Sequence, residues 1–132
     1  MTFPPSPSSA PPRLLYVVNA DFAFLANRLP MARAARDAGF EVHVATRVDD
    51  GAQAIRNEGF VLHSIPFRRG GLSPFAALQT ILALQRIERQ IQPALVHHSG
   101  VQCCVLGSIA AFGKAIPLVN AITGLGAIFT SE

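Results

Sequence analysis

The chain has 132 residues, half of them hydrophobic and 14% charged, with a formal net charge of +3. That is length for one domain with a sizeable core and no more. Arginine supplies all but one of the eleven basic residues, which suits phosphate or carboxylate recognition as well as a solvated surface, and 8% aromatics with no basic run exclude a nucleic-acid groove. A mean hydropathy of +0.35 points to a sheet covered on both faces, or to an apolar surface meant for a partner or a membrane.

Residues 1–12, MTFPPSPSSAPP, are rich in Pro and Ser, without a basic start or an apolar run. They read as a disordered tail and not as a secretory signal. RLLYVVN (13–19) is a strand. Residues 21–27 read as a loop, and a helix follows from near Arg28 to Ala38, with Pro30 in its first turn and Gly39 as its C′ residue. EVHVAT (41–46) alternates as a second strand, GAQAIRNEG (51–59) is a short helix and FVLHSIP (60–66) a third strand. After the basic glycine loop FRRGGL, Ser73 caps a helix with Pro74 at its first position, apolar almost all round, that runs to about Ile91. ALVHHS (94–99) is the fourth strand, VQCCVLGSIAAFG (101–113) a helix of small residues and PLVNAI (117–122) the fifth strand, buried at Val119-Asn120-Ala121. Adjacent Cys103 and Cys104 do not bridge each other and read as small apolar residues of a reducing compartment. Lys114, Pro117 and several glycines interrupt the apolar region 100–129, which therefore reads as a buried helix and strand and not as a membrane span.

Five strand–helix alternations make an α/β fold, a doubly wound and mostly parallel sheet. In such sheets ligands sit beyond the carboxyl ends of the strands. Those ends are Asn19-Ala20-Asp21, Thr46-Arg47, Pro66–Gly71, His97–Gly100 and Thr123–Gly126. The closing G-x-G of Gly124 and Gly126 lies on the last turn with Phe129 where a third glycine belongs, and the first turn, Asn19–Asn27, has no glycine. Both facts argue against an NAD fingerprint and a P-loop. His97 and His98 are strand neighbours and point to opposite faces, so they do not share one ion, and no Cys or carboxylate at ligand spacing supports a metal. One of the two packs under the following helix and the other looks into the strand-end cleft. The ordinary alternative for either is a hydrogen-bonded structural histidine, as for His43 and His63 inside their strands. Arg68-Arg69-Gly70-Gly71 is either a solvated turn or a clamp for a phosphate or anionic headgroup, with Leu72 and Phe75 meeting lipid.

Four stretches, VVNADFAFLANRLPMARAARDAGFEVHVAT, GFVLHSIPFRRGGLSP, QPALVHHSGVQCCVLGSIAA and VNAITGLGAIF, resemble in order and spacing the N-terminal domain of family-4 glycosyltransferases. The look is nearest to bacterial enzymes that extend lipid-linked oligosaccharides for capsule, O-antigen or glycoprotein assembly, and it covers roughly 13–130. The resemblance implies a Rossmann-like domain over 13–132, the N-terminal, acceptor-binding half of a GT-B fold, with the C-terminal donor domain absent. It further implies transfer of a sugar from a nucleotide-sugar donor, bound only through that missing domain, to a lipid-linked or saccharide acceptor in cell-surface polysaccharide synthesis. The place would be cytoplasmic, peripheral at the inner face of the cell membrane. Acceptor- or substrate-binding positions on this reading are Asn19, Asp21, Asn27, Arg28, Arg68, Arg69, His97, His98, Gly124 and Gly126, with Arg68 and Arg69 on the acceptor's phosphates. No metal and no cofactor are expected, since helix termini and basic side chains would neutralise diphosphate.

The chain departs from the family pattern at Asn27, where the family tends to have histidine, and at Gln102 and Cys103, where it usually has lysine and proline. It also has Ala76 and Ala77 near a frequent glutamate. An imidazole and an ammonium able to hold diphosphate are thereby lost, and the isolated chain is expected to transfer no sugar. The alternative is a non-catalytic, membrane-associated partner subunit, or a truncated remnant, with self-association or a partner chain covering an exposed apolar strip. A flavodoxin-like or regulator module ranks last, because the first turn carries no acidic cluster or hydroxyl-rich phosphate loop.

Overall fold

The computed structural model describes residues 11–67 and 73–121. The Arg68–Arg69 loop, the Gly124–Gly126 turn and nearly all of the Pro/Ser tail lie outside the described residues. In chain order the elements are β1 (Arg13–Val18), α1 (Asp21–Asn27), α2 (Leu29–Asp37), β2 (Glu41–Thr46), α3 (Ala52–Asn57), β3 (Val61–Ser64), α4 (Pro74–Ile91), β4 (Leu95–Ser99), α5 (Val101–Ala110) and β5 (Leu118–Ala121). The strands form one parallel sheet in the order β3-β2-β1-β4-β5. The chain therefore winds outward from β1 on one side, then returns to the other side of β1 with β4. The gap above β1 and β4 is the point where the winding reverses, and in open α/β sheets that is where ligands bind.

Period-two alternation along β1 divides the core. Leu15 and Val17 pack with Val96, with Leu84, Ile87 and Ile91 of α4, and with Cys103, Leu106 and Ala110 of α5. Leu14, Tyr16 and Val18 pack on the other face with Phe24 of α1, Ala32 of α2 and Ile55 of α3. The doubly wound α/β sheet expected from the sequence is thus the observed fold. Its local signals also hold: the Ser73 side chain accepts from the Ala76 amide at 3.1 Å to cap α4, and Gly39 follows α2 with φ of +105°.

Some expectations need correction. Residues 21–27 are not a loop but the helix α1, because Phe24 has a buried site to fill, edge-on to both Tyr16 (5.6 Å between ring centroids) and Phe60 (5.9 Å). The helix ends at Arg28, which is at once the C-cap of α1 and the N-cap of α2. Pro30 forces this break, since a continuous helix would drive its ring into the carbonyl of the preceding turn. The second correction concerns β5. It is not buried: among the described residues it is the edge strand, paired only with β4, and Leu118 and Val119 are exposed. Helix α4, apolar almost all round as expected from the sequence, turns Phe75, Leu78 and Leu82 outward. No described helix is long and apolar enough to cross a membrane.

Candidate functional site at the carboxyl ends of β1 and β4

The break between α1 and α2 aims Arg28 at the winding reversal. Its Nε donates to Ser99 Oγ at 2.8 Å, so a side chain from the α1–α2 corner is anchored on the last residue of β4. An Nη1 contact to the Asn27 carbonyl at 3.4 Å is marginal. Two residues before Ser99, on the same face of β4, His97 lies level with Tyr16 of β1. Their rings are 5.2 Å apart and tilted by 49°. Burial lowers the His97 pKa from its ordinary value, and the Arg28 charge lowers it further. Burial likewise raises Tyr16, with Arg28 opposing. Tyr16 therefore stays a neutral phenol at neutral pH, and His97 an uncharged imidazole.

His98 belongs to the other face. Its Nδ1 meets Asn120 Oδ1 at 2.7 Å, which makes Nδ1–H the donor, and Asn120 Nδ2 in turn reaches Ser108 Oγ at 3.3 Å. The rest of the ring lies under α5 against Gly107, where there is no room for a Cβ. Burial lowers the His98 pKa, while the Asn120 contact opposes that shift. The period-two expectation is met: one histidine sits under the helix after β4, and the other lies on the strand-end side with Arg28.

Asp21 is almost fully buried, and its Oδ2 accepts from the amides of Asp49 (2.6 Å) and Gly51 (2.8 Å). The carboxylate thus fastens the β2–α3 loop and is turned away from the β1–β4 gap. Asn19 is exposed just after β1, and Asn27 is exposed at the end of α1. Of the positions expected from the sequence, the structure brings together Arg28 and His97, leaves Asn27 on the surface beside Arg28, and puts Asp21 and His98 in separate networks. Tyr16 and Ser99 were not singled out. Ser99 lay within the strand-end segment 97–100, but nothing in the sequence pairs it with Arg28, 71 residues away. Among the described residues no group of three or more His, Cys, Asp or Glu is placed to hold a metal ion. Burial pushes the Cys103 thiol up to about 12 and also raises Cys104, so neither is a thiolate nucleophile at neutral pH.

Comparison with known proteins bears on the family and the fold. The glycosyl transferase 4-like family pattern matches residues 13–132. The chain belongs to that family. Among curated relatives, this glycosyl transferase 4-like domain is similar to the N,N'-diacetylbacillosaminyl-diphospho-undecaprenol alpha-1,3-N-acetylgalactosaminyltransferase of Campylobacter jejuni. They are 24% identical over 121 residues, 91% of this chain and 32% of the relative. Among solved structures it resembles Acinetobacter baumannii MurG (TM-score 0.65, 19% identity, 83% of this chain and 34% of that one). It also resembles the glycosyltransferase SnogD of Streptomyces nogalater (TM-score 0.63, 21% identity, 84% and 33%). These likenesses carry the Rossmann-like fold of GT-B glycosyltransferases. The domain spans about a third of the length of each of these proteins.

Proposed function

We propose that this domain is the acceptor-binding half of a retaining GT-B glycosyltransferase, which moves a sugar from a nucleotide-sugar donor to a lipid-linked or saccharide acceptor in cell-surface polysaccharide synthesis. The observation that carries the choice of acceptor over donor is the closure of the first turn. A Rossmann site for a nucleotide needs a glycine turn opening into a helix N-terminus that faces the phosphates. Here α1 starts at Asp21, directly after β1, and its first turn holds a buried carboxylate already bonded to two loop amides. Nucleotide phosphates find no positive charge there, because the cavity beside this turn is lined by Asp21, Asp49 and Asp50 and by no basic residue. The donor is then held by a second Rossmann-like domain, in the same polypeptide or a partner chain. The name of the Campylobacter relative, which acts on a diphospho-undecaprenol-linked saccharide, supports a lipid-linked acceptor.

On this reading Arg68 and Arg69 meet the acceptor's phosphates or neighbouring headgroups, and Gly124 and Gly126 allow close backbone approach at the cleft. The domain works at the inner face of the cell membrane. Support for that placement comes from the outer surfaces of α4 and α5, which carry Phe75, Leu78, Leu82, Val105 and Ile109, and from Phe112 just after α5. The test is a titration of the chain with a water-soluble, short-chain prenyl-diphosphate saccharide and, separately, with UDP-sugars at millimolar concentration. Saturable binding of the first and none of the second is expected. Tight binding of UDP-sugars alone would overturn the acceptor assignment.

A further inference from the structure

Basic side chains in this domain are mostly matched. Arg13 pairs with Glu41, Arg33 and Arg36 with Glu58, Arg47 with Asp49, and Lys114 with Glu88. Arg56, Arg86 and Arg89 are exposed on helices, where solvent suffices. Arg28 differs from both groups. It is half-buried, and among the described residues it faces no carboxylate; its short contact is to the neutral Ser99 hydroxyl, and its 3.4 Å contact to the Asn27 carbonyl is marginal. A guanidinium has more N–H donors than these contacts use, and a partly buried charge without a counter-ion is costly.

Two further features lie beside it. His97 is 8% exposed, and its Nε2 is buried with no hydrogen-bond partner among the described residues. Orphaned buried polar atoms are uncommon enough to call for a cause. Helix α5 begins two residues beyond Ser99, behind Gly100 (φ of +92°), and among the described residues no side chain caps its N-terminus. Among the described residues no acceptor meets its first-turn amides, which carry the positive end of the helix dipole. Asp21, the buried carboxylate among the described residues at these strand ends, is occupied by the β2–α3 loop.

We infer that Arg28, His97 and the amino end of α5 form an oxyanion site that takes a phosphate group of the substrate. The inference rests on the acceptor reading only for the source of that phosphate, a lipid-linked diphosphate. Phosphate fits better than carboxylate, because it presents acceptor oxygens in several directions to donors converging from a side chain, a ring and a helix end. Ser99 is a positioning residue: its hydroxyl holds the fork in place and adds no charge that would compete with the anion. The uncharged His97 donates through Nε2–H while Arg28 supplies the charge.

The test uses the full chain, with inorganic pyrophosphate, a soluble short-chain prenyl diphosphate and UDP as separate probes. Arg28→Gln is expected to weaken the probes that bind by at least about tenfold, the loss of one charge-assisted contact, at low and at raised salt. Arg86→Gln, on the exposed face of α4, is expected to leave binding unchanged. Parent-like affinity in Arg28→Gln, or no binding of any probe by the parent, overturns the inference. Should Arg28→Gln fail to fold, the side-chain Nε–H resonance of Arg28 in the parent decides. Its shift on adding pyrophosphate supports the site, and an unmoved signal overturns it. The probes also separate the two readings. Arg28-dependent binding of UDP alone keeps the oxyanion site and removes the acceptor assignment. Prenyl diphosphate binding that ignores Arg28 removes the site and keeps the acceptor assignment.

Discussion

Gly107 lies on the sheet side of α5 with its backbone against the imidazole of His98, so closely that a methyl group would overlap the ring. Gly107→Ala sets an intrinsic helical gain of about 1 kcal/mol against overpacking of about 1–3 kcal/mol. The His98–Asn120 contact is also put at risk. A net loss is expected, read as a lower melting temperature, while Val105→Ala on the exposed side of the same helix changes little; a Gly107→Ala variant melting above the parent refutes this account. Acid acts at the same scale. Burial lowers the pKa of His63, His97 and His98, so the unfolded chain, with imidazoles near 6.5, takes up protons first. More protons bound in the unfolded state means that stability rises with pH. The contribution is complete above about pH 6.5 and is lost as pH falls below it, towards the lowered folded values. Melting temperatures measured from pH 7.5 down to 5 should therefore fall, and a rise over that range would show that these rings gain a partner on protonation. The histidine pair was legible in the sequence as far as period two reaches, with one ring to each face. Which ring stands with Arg28 was not, because that depends on the register of Tyr16 with His97 and on a contact between α1–α2 and β4.

Elements with local signals were read correctly, and those decided by tertiary position were not. The β-branched strands, the Ser73-Pro74 start of α4 and the Gly39 stop of α2 each carry their cause within a few residues. Helix α1 has no side-chain cap, and a proline follows close behind it; only the aromatic site between Tyr16 and Phe60 makes it helical. For β5, apolar composition resembled that of a central strand, but edge position is a property of the sheet. Asp21 shows how the first turn is held. Its carboxylate accepts two backbone amides of the β2–α3 loop, bonds worth about 1.5–3 kcal/mol each when charge-assisted. Asp21→Ala is expected to destabilise the domain by about 2 kcal/mol and to speed hydrogen exchange at the Asp49 and Gly51 amides while β1 amides stay protected. Unchanged exchange at those two amides would mean that the loop is held by other means.

Among the described residues, the exposed large apolar side chains are concentrated on one layer, although Phe22 of α1 and Met31 of α2 are exposed on the other. The layer of α1, α2 and α3 carries ion pairs such as Arg33 and Arg36 with Glu58. The α4–α5 layer turns Phe75, Leu78, Leu82, Val101, Val105, Ile109 and Phe112 outward. The exposed charges on that side, Arg86 and Arg89, are basic, while Glu88 is buried beside Lys114. Such a surface suits an anionic bilayer, and its arginines disfavour pairing with a second copy of itself. The chain is expected to sediment with vesicles of acidic phospholipid at low salt, and a Val105→Asp, Phe112→Asp double variant to stay in solution with unchanged melting. Equal sedimentation of parent and variant would remove α5 from the contact. The central position of β1 has a different consequence. It gives Leu15 and Val17 to one hydrophobic layer, Leu14, Tyr16 and Val18 to the other, and pairs with both β2 and β4. Neither layer keeps its floor once β1 detaches, so the two cannot melt one after the other. Unfolding is accordingly all-or-none, and the amides of β1 exchange only through it.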